Sequence, residues 1–421
     1  MLSDTSSDYV QALPDAVVFK QELLRCITSK KGFFISDIAR ETGRSITTAI
    51  KYVHQMRDEG LIIPLDKPDN QGKGRRSIRF GINPNRAYFV GVEVVNFAVN
   101  LGLMNFCGEL VAFEKHEFVF ENTYACMEYV CSVIPEFISS LANCFDSDSF
   151  APERIAAVCI TLPERVNTFI GTSPTVFNFE DHDGRALADV LGERLGYRVI
   201  IQNDTKGKAW GDYCSGLDRQ YRNLLYINMS WGTGLCIIIN GQIYYGMDGY
   251  SGEFGHIHIF ENNIMCYCGK KGCLETEISG RAVARKVTER ILDGEKSLLS
   301  RKVLSGEELR LGDIVWAMER EDPLTLEIIE LTGLMLGAQI AMLINLFNPQ
   351  AVVIGGSLVD TEVNYLMYSL KMGVSKYSLK LMSRNVALLT STLKDRAGVT
   401  GACYIARQRT ISDIIAAGCA M

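Results

Sequence analysis

Cys266, Cys268 and Cys273 lie within eight residues in a C-x-C-x4-C arrangement broken by Gly269 and Gly272, and His256 stands ten residues upstream of the first. Three thiolates and one imidazole make a complete tetrahedral donor set for zinc, with no position left for a reactive water. Zn2+ held in this way is structural: it pins a loop and catalyses nothing. Three buried thiols without a metal are the competing reading, but such thiols do not need glycines that let the chain turn around an ion. Glu253 and Glu275 bracket the loop, so an ion there also fixes where two carboxylates point. Fixed carboxylates suit a polyhydroxylated ligand, because each can engage two neighbouring hydroxyls.

Two further stretches carry candidate chemistry. Asn203-Asp204 follows the apolar run at 198–202, and on its own such a pair is as readily an Asx turn at a strand end as a ligand group. Gly232-Thr233-Gly234 separates two apolar runs, 224–228 and 235–239. A tight turn is the preferred reading there over a phosphate-binding loop.

These groups need a scaffold, and the pattern around them is α/β. Residues 88–103 read as paired strands with a third continuing to 112, and 155–162, 198–202 and 351–354 read as buried strands. Helical stretches at 185–195 and 326–347 alternate with them, the second long and apolar. Alternating strands and helices indicate an α/β body, and its length implies two lobes with a cleft between them. The 421 residues allow two or three domains with sizeable cores. At 47% hydrophobic and 22% charged residues the composition is that of a globular chain. No uninterrupted apolar run reaches the about 20 residues of a membrane span, so no membrane partner is expected. The polar, acidic start argues against a signal peptide. Ten of the thirteen cysteines are scattered singly, which suits a reducing compartment, and a cytoplasmic location is expected.

Charge is unevenly spread. Residues 1–90 hold 14 Lys and Arg against 10 Asp and Glu, whereas the remaining 331 residues hold 29 against 39. A basic front end on an acidic body points to an anionic partner for the front end alone. There, 17–27 reads as a helix, Ile35, Ile38 and Ala39 as the apolar face of a second, and Gly43 as its stop. Ser45 is placed to cap a third helix carrying Ile50, Val53, His54 and Met56, with His54 a packing residue rather than a ligand. Two helices about a short Gly-containing turn form a helix-turn-helix. The later helix would present Arg44, Ser45, Thr47, Thr48 and Lys51 to base edges in the major groove. A strand, a glycine-rich tip and a returning strand follow, and Lys73, Arg75, Arg76 and Arg79 load them with charge. Such a wing can touch phosphate or enter the minor groove. The alternative is a winged helix that docks protein, with its charges merely solvated.

Taken together these residues resemble the ROK family (repressors, open reading frames and sugar kinases), in particular its repressor branch related to the xylose and N-acetylglucosamine operon regulators. The likeness spans essentially the whole chain and rests on the G-E-x-G-H…C-x-C-G-x-x-G-C-L-E signature at 252–275. Asn203-Asp204, Gly232-Thr233-Gly234 and the N-P-x-x-hydrophobic-G-G stretch from Asn348 support it. The resemblance implies a two-lobed actin/hexokinase-like (ribonuclease H-like) fold behind the winged helix. It implies zinc on His256, Cys266, Cys268 and Cys273, and sugar hydroxyls held by Asn203, Asp204, Glu253, His256 and Glu275, with Asn178 a weaker addition. The expected division is 1–85 for the winged helix-turn-helix, 86–202 with 400–421 for a small lobe, and 203–399 for a large lobe.

The kinases of this family carry a D-x-G-G-T loop in the first strand pair, and this chain has Glu93-Val94-Val95-Asn96-Phe97 there. Phosphate cradles need glycine because backbone N–H groups must approach the anion closely, so Val95 and Phe97 argue against ATP. Phosphoryl transfer depends on positioning and charge stabilisation, and loss of the cradle removes both. Asp204, the kinases' catalytic base, is retained; it is catalytic here only if the chain is a sugar kinase after all. The expectation is therefore a sugar-responsive repressor with a structural Zn2+, which binds operator DNA as a homodimer or tetramer and takes a small-molecule sugar as effector. Glu164 follows Pro163 where the family often has Gly, which puts a charge near the sugar loop that could alter or abolish effector binding; Asn178 and the 161–166 segment are the candidates for choosing the sugar.

Overall fold

The computed structural model describes residues 32–65, 78–145, 150–163, 165–177 and 184–417, together with Lys20 and Leu23. Three sheets organise the chain. Strands β1 (Ile62–Pro64) and β2 (Phe80–Ile82) form an antiparallel pair. The second sheet runs β5 (Leu110–Glu117), β4 (Ala98–Asn105), β3 (Tyr88–Val95), β6 (Ile155–Leu162), β7 (Val199–Asn203). The third runs β10 (Gln242–Ile243), β9 (Thr233–Ile239), β8 (Leu224–Met229), β11 (Ala351–Gly355), β12 (Ala387–Thr390). Counted in chain order, in both five-stranded sheets the first strand pairs antiparallel with the second and parallel with the fourth, and the fifth extends the parallel side. This repeated topology is the two-lobed α/β arrangement expected from the sequence. The parallel strands β6, β8 and β11 are almost wholly buried, as strands covered by helices on both faces must be.

Helices cover each sheet. Tyr124–Cys144 and Leu187–Leu195 supply apolar side chains to the core on one face of the second sheet. Its other face meets the C-terminal helix Ala397–Ala417, where Val399 and Cys403 join the core. Around the third sheet, Gly280–Leu292, Leu311–Glu319, Pro323–Phe347 and Tyr365–Tyr377 share one apolar core with β8, β9 and β11. Pro323–Phe347 starts at Asp322, whose carboxylate accepts from the Thr325 N–H at 3.0 Å. Two helices, Tyr124–Cys144 of 21 residues and Pro323–Phe347 of 25, are long and apolar enough to cross a bilayer. This differs from the expectation that no such segment exists. The apolar side chains of both serve the protein cores, which is why their sequences are so hydrophobic.

The helix Asp204–Cys214 lies across the C-terminal helix at very close range. A Cβ on Gly401 would run into the Gly207 carbonyl oxygen, and one on Gly211 into the Ala397 carbonyl. Glycine is required at this crossing because two backbones touch.

At the front end, Ile35–Thr42 stops at Gly43 with φ of 64°, and Ile46–Asp58 follows Ser45, whose hydroxyl accepts from the Thr48 N–H at 3.1 Å. Ile38, Ala39, Ala49, Val53 and Met56 face inward. Ile50 and His54, expected to pack, are exposed, because the buried stripe of that helix passes through Ala49 instead. The expected helix at 17–27 lies outside the described residues except for Lys20 and Leu23, and the wing tip at 66–77 lies outside them too. The small domain is joined to the body by a continuous core, Phe33, Leu61 and Phe80 packing in one cluster with Phe89 and Phe106. The Phe106 N–H donates to the Pro84 carbonyl at 3.1 Å, and Arg407 of the C-terminal helix donates to the Phe106 carbonyl at 2.8 Å. The strand expected to end near 112 runs on to Glu117.

Candidate metal centre and interlobe cavity

The four metal-donor side chains converge. The ligand atoms of His256, Cys266, Cys268 and Cys273 all lie within 4.8 Å of one another. His256 Nδ1 is 3.6 Å from Cys266 Sγ, and Cys268 Sγ is 3.6 Å from Cys273 Sγ. A tetrahedral ion with Zn–S bonds of about 2.3 Å sets sulfur atoms about 3.8 Å apart, so the cage has the right size. Gly269 and Gly272, both at positive φ, turn the chain between the second and third cysteines. At Gly272 a Cβ would strike the Phe260 carbonyl oxygen. The ring nitrogen of His256 that faces away from the cage, Nε2, lies 3.2 Å from the Tyr267 hydroxyl, an outer partner of the kind that fixes the tautomer and orientation of a metal-bound imidazole.

Between the lobes lies a cavity of about 970 Å³. Asn203, Asp204, Glu253, His256 and Glu275 all line it, so residues separated by as many as 72 positions are brought to one space. Asn178 lies outside the described residues. Asn203-Asp204 stands at a strand end, where Asn203 caps a helix, and both residues line the cavity. Asn203 Oδ1 caps the helix Asp204–Cys214 by accepting from the Lys206 N–H at 3.0 Å, while Asn203 Nδ2 donates to Asp204 Oδ1 at 3.0 Å. Burial pushes the Asp204 carboxyl up to about 6, against the opposing pull of the Lys208 ammonium. Glu275, buried at the start of a short helix, accepts from the Thr233 N–H at 3.3 Å. Gly232-Thr233-Gly234 leads directly into β9, and a Cβ on Gly234 would collide with Thr205 Oγ1. Gly234 therefore serves close packing, whereas a Cβ on Gly232 would come no closer than 3.4 Å to Glu275 Oε2.

Several cavity residues have no counterpart in the sequence reading. Arg165 donates to Glu253 Oε2 at 3.1 Å. Lys206 donates to the Ser251 carbonyl at 2.9 Å. Lys208 is ion-paired with Glu93, which is fully buried and also accepts from Asn100 Nδ2 at 2.8 Å. Two lysines at alternate positions in D-T-K-G-K, inside a helix with every other face covered, were the available signal. Buried lysines are rare unless partnered.

At the end of β3, Val95 pairs with Ala98 and the chain reverses through Asn96-Phe97. Phe97 reaches the other lobe and meets Trp231 edge-on, ring centroids 5.4 Å apart. The Arg281 guanidinium lies 5.7 Å from the Trp231 ring and 5.3 Å from that of Tyr267. An aromatic and cationic chain thus links the first-lobe hairpin to the loop of the metal centre.

On the front domain, Arg44, Ser45, Thr47 and Lys51 are exposed and Thr48 is half-buried. The Ser45 hydroxyl is engaged in capping and lies 2.8 Å from the Thr48 hydroxyl. Ile46, 60% exposed and not singled out from the sequence, and Ile50, 42% exposed, stand among them. Lys73, Arg75 and Arg76 lie outside the described residues.

A family model described as "ROK family" matches residues 111–409. The chain is 26% identical over 381 residues to the "DNA-binding transcriptional dual regulator NagC" of Escherichia coli (strain K12), covering 90% of this chain and 89% of that protein. A "Glucokinase" of Halalkalibacterium halodurans is 33% identical over 224 residues, covering 53% of this chain and 68% of that protein. Among solved structures, a ROK family transcriptional regulator, described as a homologue of the E. coli MLC protein, superposes with a TM-score of 0.77 at 26% identity. It covers 95% of this chain and 98% of its own.

Proposed function

The chain belongs to the ROK family, and from that premise we propose that it is a transcriptional repressor of sugar-utilisation genes whose grip on operator DNA is set by a sugar in the interlobe cavity. The observation that carries this reading is the fusion, through one continuous core, of a winged helix to a two-lobed body whose cavity gathers Asn203, Asp204, Glu253, His256 and Glu275. The similarity to NagC along nine-tenths of the chain supports it, since the glucokinase match covers only about half. We assign 1–85 to DNA recognition, 86–202 with 400–421 to the small lobe, and 203–399 to the large lobe.

In this account Arg44, Ser45, Thr47, Thr48 and Lys51 meet base edges, and Lys73, Arg75 and Arg76 contact the backbone or minor groove. A homodimer, alone or paired into a tetramer, supplies the second half-site reader. His256, Cys266, Cys268 and Cys273 would hold one Zn2+, which supplies rigidity and no chemistry. The carboxylates and amides at Asn203, Asp204, Glu253 and Glu275 take the sugar hydroxyls, and a cytoplasmic location follows from the operator partner. Asp204 hydrogen-bonds a hydroxyl without abstracting its proton. Val95 and Phe97 occupy the place of a glycine cradle, and the ion-paired Glu93 leaves no phosphate-gripping group there, which supports binding without turnover.

A direct check compares the two classes. Full-length protein should bind duplexes selected from a random pool with an affinity that falls steeply as salt rises, and should show no sugar-dependent ATP consumption across a hexose and pentose panel. Clear turnover would make it a kinase, and salt-independent binding would remove the electrostatic basis of the DNA reading.

A further inference from the structure

We infer that the helix Ile46–Asp58 reads thymine by its 5-methyl group, through Ile46 and Ile50, and that the operator half-site carries thymines close together beneath these two side chains. This rests on the DNA-binding account above and adds the base that is read. The helix reverses the usual pattern of burial. Its buried stripe is Ala49, Val53 and Met56, all at 0% exposure, whereas its two isoleucines stand 60% and 42% exposed. An alanine thus fills the core while larger apolar groups next to it in the chain face outward. A single exposed apolar residue needs no explanation, but Ile46 and Ile50 are one turn apart on the same face.

Their neighbours set the chemistry of the occupant. In the first two turns, residues 46–53, the other exposed side chains are Thr47 and Lys51. The Ser45 hydroxyl accepts from the Thr48 N–H at 3.1 Å and lies 2.8 Å from the Thr48 hydroxyl, so these two groups are turned toward the helix and each other. No Arg, Asn, Gln, Asp or Glu occurs between 45 and 53, although these are the side chains that pair with guanine, adenine or cytosine edges. Gln55, the next amide along, donates to Glu59 at 2.9 Å. Two branched hydrocarbons therefore dominate what this end of the helix can offer a base pair. The apolar group on the major-groove edge is the thymine 5-methyl. A protein surface is the other possible occupant, but Arg44 and Lys51 flank the isoleucines with no acidic residue between them. Such an arrangement suits hydrocarbon in the groove with phosphates to either side. Residues four apart on a helix are about 6 Å apart along its axis, and successive bases are about 3.4 Å apart, so the two side chains reach positions within about two base-pair steps.

The test begins by selecting duplexes from a random pool with full-length protein. Each thymine of the selected half-site is then replaced singly by uracil, which removes the methyl group and keeps the pairing edge. Fluorescence anisotropy at fixed salt reads the affinity. Uracil at the positions facing Ile46 and Ile50 is expected to weaken binding by about fourfold each, the worth of one buried methyl group. The double variant Ile46→Ala, Ile50→Ala is expected to bind the thymine and uracil duplexes alike. A selected half-site that accepts uracil at every position without loss overturns the inference, in favour of a protein contact for this face, and leaves the DNA-binding account intact. Discrimination that persists in the double variant overturns the assignment to these two residues. If no sequence is selected, the DNA-binding account fails and this one falls with it. Should the double variant not fold, the parent's thymine–uracil comparison still decides whether methyl groups are read, and the two single variants assign them.

Discussion

Single residues carry the chemistry, and the clearest of them were legible without coordinates. Cysteines spaced around two glycines, with His256, make a donor set that could hold an ion, and Cys268 Sγ and Cys273 Sγ come within 3.6 Å of each other. Cys268→Ser should cut metal content from about one ion per chain, measured by plasma mass spectrometry, and should loosen the loop that holds Glu253 and Glu275. Full retention of metal and of sugar affinity would mean the cage is not a metal centre. Asp204 gives a prediction with a definite sign. Its folded carboxyl titrates near 6, above the ordinary aspartate value of 3.8, so the folded state holds this proton more tightly than the unfolded chain does. Its contribution to stability is therefore fully present below about pH 4 and is lost as pH rises through about 6. Asp204→Asn should be more stable relative to the parent at pH 7.5 than at pH 4, as read by thermal melts at the two pH values; an equal offset at both would contradict this. What the sequence did not disclose at this scale was pairing. Arg165, Lys206 and Lys208 find their partners 88, 45 and 115 positions away, and no local pattern encodes such distances.

At the scale of elements, apolar runs located the buried strands β6, β8 and β11 to within a residue, whereas the buried stripe of one amphipathic helix was placed less well. The stripe through Ala49, Val53 and Met56 was misjudged at Ile50 because an alanine hides among larger apolar residues, and helical phase alone did not choose between them. On the proposed DNA-reading account the exposed Ile46 and Ile50 would gain a purpose, since apolar side chains in the major groove can read thymine methyl groups. The crossing of Asp204–Cys214 with Ala397–Ala417 matters most. Asn203 and Asp204 sit at the start of the first helix, and Arg407 in the second holds the Phe106 carbonyl next to the front domain. On the proposed account, a shift at the start of the first helix would have a packed, glycine-tight route toward the front domain. Gly401→Ala forces the two backbones apart, and overpacking of this kind costs roughly 1–3 kcal/mol. The expected result is a lower urea midpoint with weakened coupling between sugar and DNA; unchanged stability and coupling would show that the contact is not tight.

The whole molecule repeats one topology twice, encloses a cavity between the copies, and packs a small front domain against the core of the first. The two-lobed plan could be inferred from alternating strands and helices and from family likeness. The cavity's internal charge balance and the Phe97–Trp231 contact across it could not, because they depend on how two separately folded sheets face each other. That contact gives closure something to make or break. An effector acts only through a difference in affinity between two states of the protein, and by reciprocity the operator must alter sugar affinity by the same factor. Fluorescence anisotropy of a labelled operator duplex, titrated with full-length protein at fixed salt with and without the sugar that binds it, tests this most directly. The account predicts that saturating sugar weakens operator binding by roughly 5–150-fold, the span of ordinary allosteric coupling. Identical titration curves, with the sugar shown by calorimetry to be bound, would contradict it.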